Sequence, residues 1–340
     1  MNPILPTILS ITTPAEWTAP TVPMGAEEWM PHHTDTFLDG LLEIIGKILP
    51  KIQPALSEAM GVCAGLIGIV LLVSLAANLH GPSSRAADLA GTVSIGLILL
   101  RATGSMVSLG TETVMTISDY GKLLLPVMAG AMAGSGGANG AAGMYLGTVF
   151  FDSVLTSVAA TLLIPMIYSF IALALSSHAL EQNTLKQMKD FVKWLMTWTL
   201  KILLYIFTGY MAITGVISGS TDAAALKAAK LTISGMVPVV GGILSDVSEA
   251  VLVGADLVRS AAGIYGLLAV ISLWIGPFLR IGVQYLMLKL TAGICGIFGT
   301  KGTTGLIGDF STVMGILLAV TAAICLIFMI STVCFMKGVE

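Results

Sequence analysis

The run FSTVMGILLAVTAAICLIFMISTVCFM, residues 310–336, contains 27 consecutive residues without a charged side chain. About 20 apolar residues are enough to carry an α-helix across the hydrocarbon core of a membrane. Because that core supplies no water, a spanning segment must satisfy its backbone hydrogen bonds internally, as a helix does. Residues 310–336 therefore predict a transmembrane helix, and the same criterion applies to the rest of the chain.

The composition of the whole chain supports this interpretation. Of its 340 residues, 56% are hydrophobic and only 10% are charged, whereas about 25% of the residues of a soluble domain are charged. The predicted fold class is an all-α polytopic integral membrane protein with about six or seven transmembrane helices. The net charge is −3, and no basic stripe runs along the sequence. Both features argue against nucleic acid as a partner.

Charge-poor runs place the predicted spans along the chain. Six are assigned, at residues 59–80, 89–110, 153–178, 194–218, 260–284 and 310–336. Residues 123–151 also lack charged side chains, but glycine and alanine dominate them. Because glycine is a poor helix former, a re-entrant or broken segment fits this composition, with an extra span as the alternative.

The regions outside the spans have their own compositions. Residues 1–34 hold six of the thirteen prolines and are predicted to form an extended N-terminal arm. Residues 35–57 place leucine and isoleucine at helical spacing, which predicts an amphipathic helix at the membrane interface, and residues 58–340 form the polytopic helical membrane domain. A further amphipathic segment at residues 184–195 has lysines on its predicted polar face, namely Lys186, Lys189 and Lys193.

Three charged residues fall within or beside predicted spans and are candidate intramembrane or interfacial charges. Arg101 lies near the middle of its span, where a charge usually faces a partner or water, unless the span is shorter and Arg101 marks its end. Asp152 precedes a long apolar run, which fits the start of a helix. Lys201 follows Trp194 and Trp198 at a spacing typical of an interfacial anchor with a snorkelling amine, with an ion pathway as the alternative.

A hinge interrupts the long connection between two of the spans. In PVVGGILSD, residues 238–246, the helix breakers Pro238, Gly241 and Gly242 predict a turn between two amphipathic helices within residues 222–258. Acidic side chains share one face of the second helix, where they are predicted to cap its N terminus or to dock a partner. These acids are Asp246, Glu249 and Asp256.

No motif for catalysis, cofactor binding or metal binding occurs in the sequence. The P-loop, zinc-protease and nucleophile-elbow patterns are missing, and the four cysteines lack ligand-like spacing. No catalytic residue, cofactor or metal ligand is predicted, and the protein is expected not to be an enzyme. Repeated glycines are instead predicted to allow close helix packing, at Gly61, Gly65 and Gly68 and at Gly293, Gly296 and Gly299.

Two segments resemble a known family. The block LKAAKLTISGMVPVVGGILSDVSEAVLVGADLVRSAAGIYG, residues 226–266, resembles the signature region of the stage III sporulation protein AE family. The segment LLLPVMAGAMAGSG, residues 123–136, is similar to the proline-containing hydrophobic segment of that family. Together with the order of spans, the resemblance extends from about residue 36 to the C terminus.

The resemblance implies a function that composition alone does not supply. It implies a membrane core or scaffold subunit of the multiprotein channel between mother cell and forespore, needed for late forespore gene expression. The implied partners are other stage III A sporulation membrane proteins, including a secretion-type ATPase and ring-forming subunits, and indirectly the forespore protein Q. The implied location is the mother-cell membrane surrounding the forespore. A solute permease that uses intramembrane charges is the alternative function.

The hinge gives a first testable prediction. Replacing both Gly241 and Gly242 with valine is expected to abolish sporulation, because the turn needs backbone freedom that a β-branched residue lacks. The count of heat-resistant spores measures the effect, and the amount of protein in the membrane fraction checks that the variant still inserts. Retained sporulation in the double variant would show that the turn needs no special backbone freedom.

Overall fold

The computed structural model describes residues 28–31, 37–79, 84–132, 138–180, 182–217 and 261–337. The hinged helices predicted within residues 222–258 lie outside the described residues, as does all of the predicted N-terminal arm except residues 28–31.

The described residues form helices and no strand. The helices are α1 (Phe37–Leu79), α2 (Ser84–Met132), α3 (Ala138–Val158), α4 (Ile164–Leu180), α5 (Asn183–Ile217), α6 (Ala261–Phe298) and α7 (Lys301–Lys337). A π-helical turn, Ala159–Leu163, joins α3 to α4, so that the two form one continuous rod. Counted this way, six helices of the described part are long and apolar enough to cross a membrane. The predicted all-α polytopic fold class is confirmed.

Helix α7 is the central element of the bundle. It contains the charge-free run 310–336 and contacts α2, α3, α4, α5 and α6. Because neighbouring helices cover α7 on several sides, many of its side chains are fully buried. Leu306, Ile324 and Phe328 are each 0% exposed. Helix α1 packs outside this arrangement against α2 and α6, whereas α5 packs against α3, α4 and α7. The helix that contains the charge-free run 310–336 is therefore the core of the described fold.

Helix α1 joins two regions that the sequence separates. The predicted interfacial helix 35–57 and the predicted span 59–80 form one continuous helix, although Pro50 and Pro54 lie inside it. Buried residues such as Phe37 and Leu66 lie in both halves of α1. The two halves therefore belong to one helix that packs against the bundle. Packing against α2 and α6 compensates for the backbone hydrogen bonds that the prolines remove.

Helix α2 also runs past its predicted end. It has 49 residues and is about 74 Å long at 1.5 Å per residue, more than twice the roughly 30 Å of a hydrocarbon core. The predicted span 89–110 is only part of it. Of the glycine-rich segment 123–151, residues 123–132 complete α2 and residues 138–151 begin α3. The charged residues after 110 do not end the helix, because they lie on its exposed side.

The π-helical turn lies just before Pro165. The sequence predicts a kink there, because proline cannot donate the backbone hydrogen bond of a regular helix. The wider π-helical turn at Ala159–Leu163 changes the hydrogen-bond pattern in the turn before the ring. The chain therefore passes the proline and continues as α4.

Residues 28–31 pack against the start of the bundle. Trp29 is 7% exposed and lies against Gly276 of α6. The Lys51 ammonium of α1 is 4.6 Å from the centre of the Trp29 ring and forms an ion pair with Glu28. This ammonium lowers the pKa of the Glu28 carboxyl. Lys47 donates to the carbonyl of Met30 at 2.8 Å, so two lysines of α1 hold this short segment.

Close helix packing uses Gly299 of the predicted set and otherwise different glycines. No side chain lies within 4 Å of the Cβ position at Gly61, Gly65, Gly68 or Gly293, and only Gly299 of the predicted set is tightly enclosed. The closest approaches occur elsewhere. A Cβ atom at Gly121 would overlap the ring of Phe328, and one at Gly147 would overlap the ring of Tyr210. Which glycines face a neighbour depends on the packing of helices far apart in sequence.

These contacts give a prediction about stability. Gly121→Ala is expected to destabilise the protein by about 1–3 kcal/mol, because the new methyl group forces Phe328 out of its place. The matched control is Gly104→Ala in the same helix, which has open space at its Cβ position and gains up to about 1 kcal/mol of helix propensity. Melting temperatures in detergent compare the two variants. Equal melting temperatures would contradict the close approach of α2 and α7.

Candidate functional site

Ionisable side chains from three helices meet in the interior of the bundle. The Oδ2 atom of Asp309 on α7 accepts from Nζ of Lys189 on α5 at 2.5 Å and from Nε2 of His178 on α4 at 2.7 Å. The side chains of Lys189, Asp309 and His178 are 6%, 17% and 19% exposed. These three residues form a cluster, called here the Asp309 cluster.

Local structure places the three side chains together. His178 lies in the last turn of α4, and α5 begins at Asn183, so the short connection returns Lys189 to the same level of the bundle. Asp309 lies in the first third of α7. One turn earlier, Gly305 leaves room for the His178 ring, since a Cβ atom there would overlap it. A small residue in α7 thus allows the imidazole to reach the carboxylate.

The chemistry of the Asp309 cluster fixes the protons within it. An ionised carboxylate can only accept hydrogen bonds, so Nε2 of His178 carries a hydrogen and Lys189 is an ammonium group. Lys189 and Asp309 balance each other in charge, which makes their burial tolerable. No group of three His, Cys, Asp or Glu side chains in the described ranges could hold a metal ion. The arrangement is that of a clamp between α4, α5 and α7.

Asp152 is a second buried acid with fewer partners. Its residue is 2% exposed, and Oδ2 accepts from the Ser118 hydroxyl of α2 at 2.8 Å. Its Oδ1 atom has no hydrogen-bond partner among the described residues. Because α3 begins at Ala138, Asp152 does not start a helix as the sequence suggests. It lies inside α3, where it links α3 to α2.

The three candidate charges of the sequence do not form one site. Arg101 is exposed on α2, Asp152 is buried on α3 and Lys201 is half-buried on α5. No ion pair in the described part of the chain joins any two of them. Trp194 and Trp198 are exposed beside each other on α5, with ring centres 5.7 Å apart, and they precede Lys201 as the anchor pattern requires. The hinge and docking residues lie outside the described residues: Pro238, Gly241, Gly242, Asp246, Glu249 and Asp256.

Sequence reasoning missed the Asp309 cluster. It assigns Lys189 to the polar face of an amphipathic helix, whereas the structure buries Lys189 and exposes Met188 at 52%. The helical face was misplaced because Lys189 gains a carboxylate partner that is 120 residues away in the chain. One signal was available, since Asp309 is the last charge before the run 310–336, and a charge at the edge of a core helix commonly has a partner.

Removing the acid of the cluster tests the clamp. Asp309→Asn leaves the Lys189 ammonium buried without a counter-charge, and the expected loss of stability is about 3–5 kcal/mol. The matched control is Asp119→Asn, which breaks an exposed pair with Lys122 and is expected to cost about 1 kcal/mol or less. Melting temperatures in detergent provide the measurement. If Asp309→Asn and Asp119→Asn melted together, the clamp would contribute no stability.

Comparison with known proteins identifies the family. The model of the family described as stage III sporulation protein AE matches residues 39–338. Stage III sporulation protein AE of Bacillus subtilis (strain 168) is 24% identical over 188 residues, which are 55% of this chain and 47% of that relative. The matched part therefore spans about half the length of the curated relative. No solved structure matches the chain. Because the family match covers most of the chain and agrees with the resemblance of residues 226–266, the chain belongs to the stage III sporulation protein AE family.

Proposed function

We propose that the protein is a membrane core or scaffold subunit of the multiprotein transenvelope channel between mother cell and forespore, needed for late forespore gene expression. The observation that carries the proposal is the family match over residues 39–338, which assigns the chain a role in sporulation. The family name is that of a sporulation protein and not of an enzyme, and the proposed role involves no catalysis.

The packing of the bundle supports a scaffold role. Five helices of the described part contact α7, and the Asp309 cluster ties α4, α5 and α7 together through buried, charge-balanced hydrogen bonds. Transporters that alternate between two states move one bundle against another. A bundle organised around one enclosed helix is better suited to hold a fixed position among other subunits.

The proposed partners follow from the proposed complex. They are the other stage III A sporulation membrane proteins, including a secretion-type ATPase and ring-forming subunits, and indirectly the forespore protein Q. The proposed location is the mother-cell membrane surrounding the forespore, with several crossings. Support for several crossings comes from the six sufficiently long and apolar helices of the described part. Membrane lipid is then a further partner, which contacts exposed apolar side chains such as Ile206 and Ile213 of α5.

The geometry does not favour the alternative of a solute permease. That function requires Arg101, Asp152 and Lys201 to line one pathway. The three side chains lie on different helices, with Asp152 buried and Arg101 exposed, and no ion pair within the described ranges connects them. The permease is therefore not proposed.

Deletion and purification from sporulating cells test the proposal. Deleting the gene is expected to abolish a late forespore reporter after engulfment is complete, and an intact copy is expected to restore it. A tagged copy, solubilised in mild detergent, is expected to co-purify with the ATPase and the ring-forming subunits. The matched control is an equally abundant polytopic membrane protein of the same cells, which is expected to recover neither partner.

Two results would contradict the proposal. Normal numbers of heat-resistant spores in the deletion strain would exclude a required role in sporulation. A sporulation defect without recovery of any partner subunit would retain the role in sporulation and exclude the assembly role.

A further inference from the structure

The exposed side of α2 is polar over a long stretch. Between residues 101 and 122, only seven residues of α2 are exposed, and six of them are polar. These six define the α2 polar stripe: Arg101, Ser105, Ser108, Glu112, Asp119 and Lys122. The seventh, Met115, lies on the same line. Their spacing alternates between three and four residues, which keeps them on one side of a helix.

The opposite side of α2 is apolar and buried. Ile95, Leu99, Ile117, Tyr120 and Leu124 are each 0% exposed. Helix α2 thus has apolar residues toward the bundle and charged residues on its outer surface, as a surface helix of a water-soluble protein has. A helix that faces lipid has apolar residues on its exposed side, because charges in hydrocarbon are strongly unfavourable.

The length of the stripe matches the thickness of a membrane. From Arg101 to Lys122 the helix rises about 32 Å, close to the roughly 30 Å of the hydrocarbon core. The stripe is part of the candidate span Ala86–Gly130, whose 45 residues are about 68 Å long and so exceed one hydrocarbon core. Exposed apolar residues border it at both ends, Leu97 at 64% and Leu123 at 57%.

Other exposed surfaces of the bundle have the opposite character. On α5, the exposed side chains between residues 202 and 213 include Ile202, Tyr205, Ile206 and Ile213. That surface suits contact with lipid tails. The exposed surfaces of α5 and α2 therefore differ in polarity.

The charges of the stripe are only partly neutralised. Asp119 and Lys122 form an ion pair at 2.7 Å, with both side chains more than half exposed. No ion pair connects Arg101 or Glu112 to any other residue in the described ranges. Hydration by water satisfies separated charges of both signs without requiring a matched partner surface.

We propose that the α2 polar stripe faces a water-filled path through the membrane, which admits water and small hydrated solutes. The proposal deepens the proposed function, because it makes this subunit a wall of the conduit as well as a scaffold. Arg101, Glu112 and the Asp119–Lys122 pair then form successive charged levels along the path. Ser105 and Ser108 line the interval between Arg101 and Glu112.

Cysteine reactivity measures whether the stripe is hydrated. Only the thiolate reacts rapidly with a methanethiosulfonate reagent, and thiolates form in water and not in lipid. Ser105→Cys and Ser108→Cys change one side-chain atom each and are tested in freeze-thawed membranes of sporulating cells with a trimethylammonium methanethiosulfonate. The matched controls are Ile206→Cys and Ile213→Cys on the exposed apolar surface of α5. The unsubstituted chain supplies the background rate of the native cysteines.

The expected result is modification of Ser105→Cys and Ser108→Cys about tenfold or more faster than that of the α5 controls. Rates equal to those of the controls would overturn the proposal. Disulfide cross-linking of Ser108→Cys into a species of twice the mass would also overturn it, because a second copy would then cover the stripe.

The cysteine-reactivity experiment can fail without contradicting the proposed role in sporulation, and the reverse also holds. A Ser108→Cys chain that supports sporulation but does not react would exclude the water-filled path and leave the scaffold role intact. A deletion strain that forms normal spores would exclude the sporulation role whatever the measured reactivity.

Discussion

Inside a membrane, a backbone N–H or C=O group is satisfied only by the protein itself, and the architecture of this chain depends on that constraint. The chain responds with helices longer than one crossing requires, such as the 49-residue α2. Prolines do not break these helices, since Pro126 lies inside α2 and Pro277 inside α6. Buried residues flank each ring, Leu125 and Met128 in α2 and Trp274 and Phe278 in α6. The helices therefore continue past the prolines and pack against α7.

The positions of the few charged residues follow from the same lack of water inside a membrane. A charge inside the bundle requires a partner, and the Asp309 cluster supplies one through Lys189 and His178. A charge on the outside requires water or a headgroup, and the α2 polar stripe collects such charges on one face. Asp152 is intermediate, because the Ser118 hydroxyl satisfies one of its oxygens and no described residue satisfies the other.

These placements connect the fold with the proposed role. A clamp that joins three helices stabilises the bundle, and a bundle built around an enclosed helix suits a fixed subunit of a larger assembly. The α2 polar stripe is on the outer surface of this bundle, where it is available to the proposed conduit. The family match supports the sporulation role independently of this geometry.

The helical class, the membrane environment and the family can be inferred from residue order, because composition and periodicity are local properties that accumulate along each segment. The run 310–336 indicated a spanning helix, and residues 226–266 carried the family resemblance. Neither the burial of Lys189 nor the contact of Gly121 with Phe328 could be read from local patterns. The burial of Lys189 requires the Asp309 carboxylate, which is 120 residues away in the chain. The need for a glycine at position 121 comes from the Phe328 ring of α7. Which face of each long helix is covered is set by its neighbours in space, and amphipathic periodicity alone does not specify those neighbours.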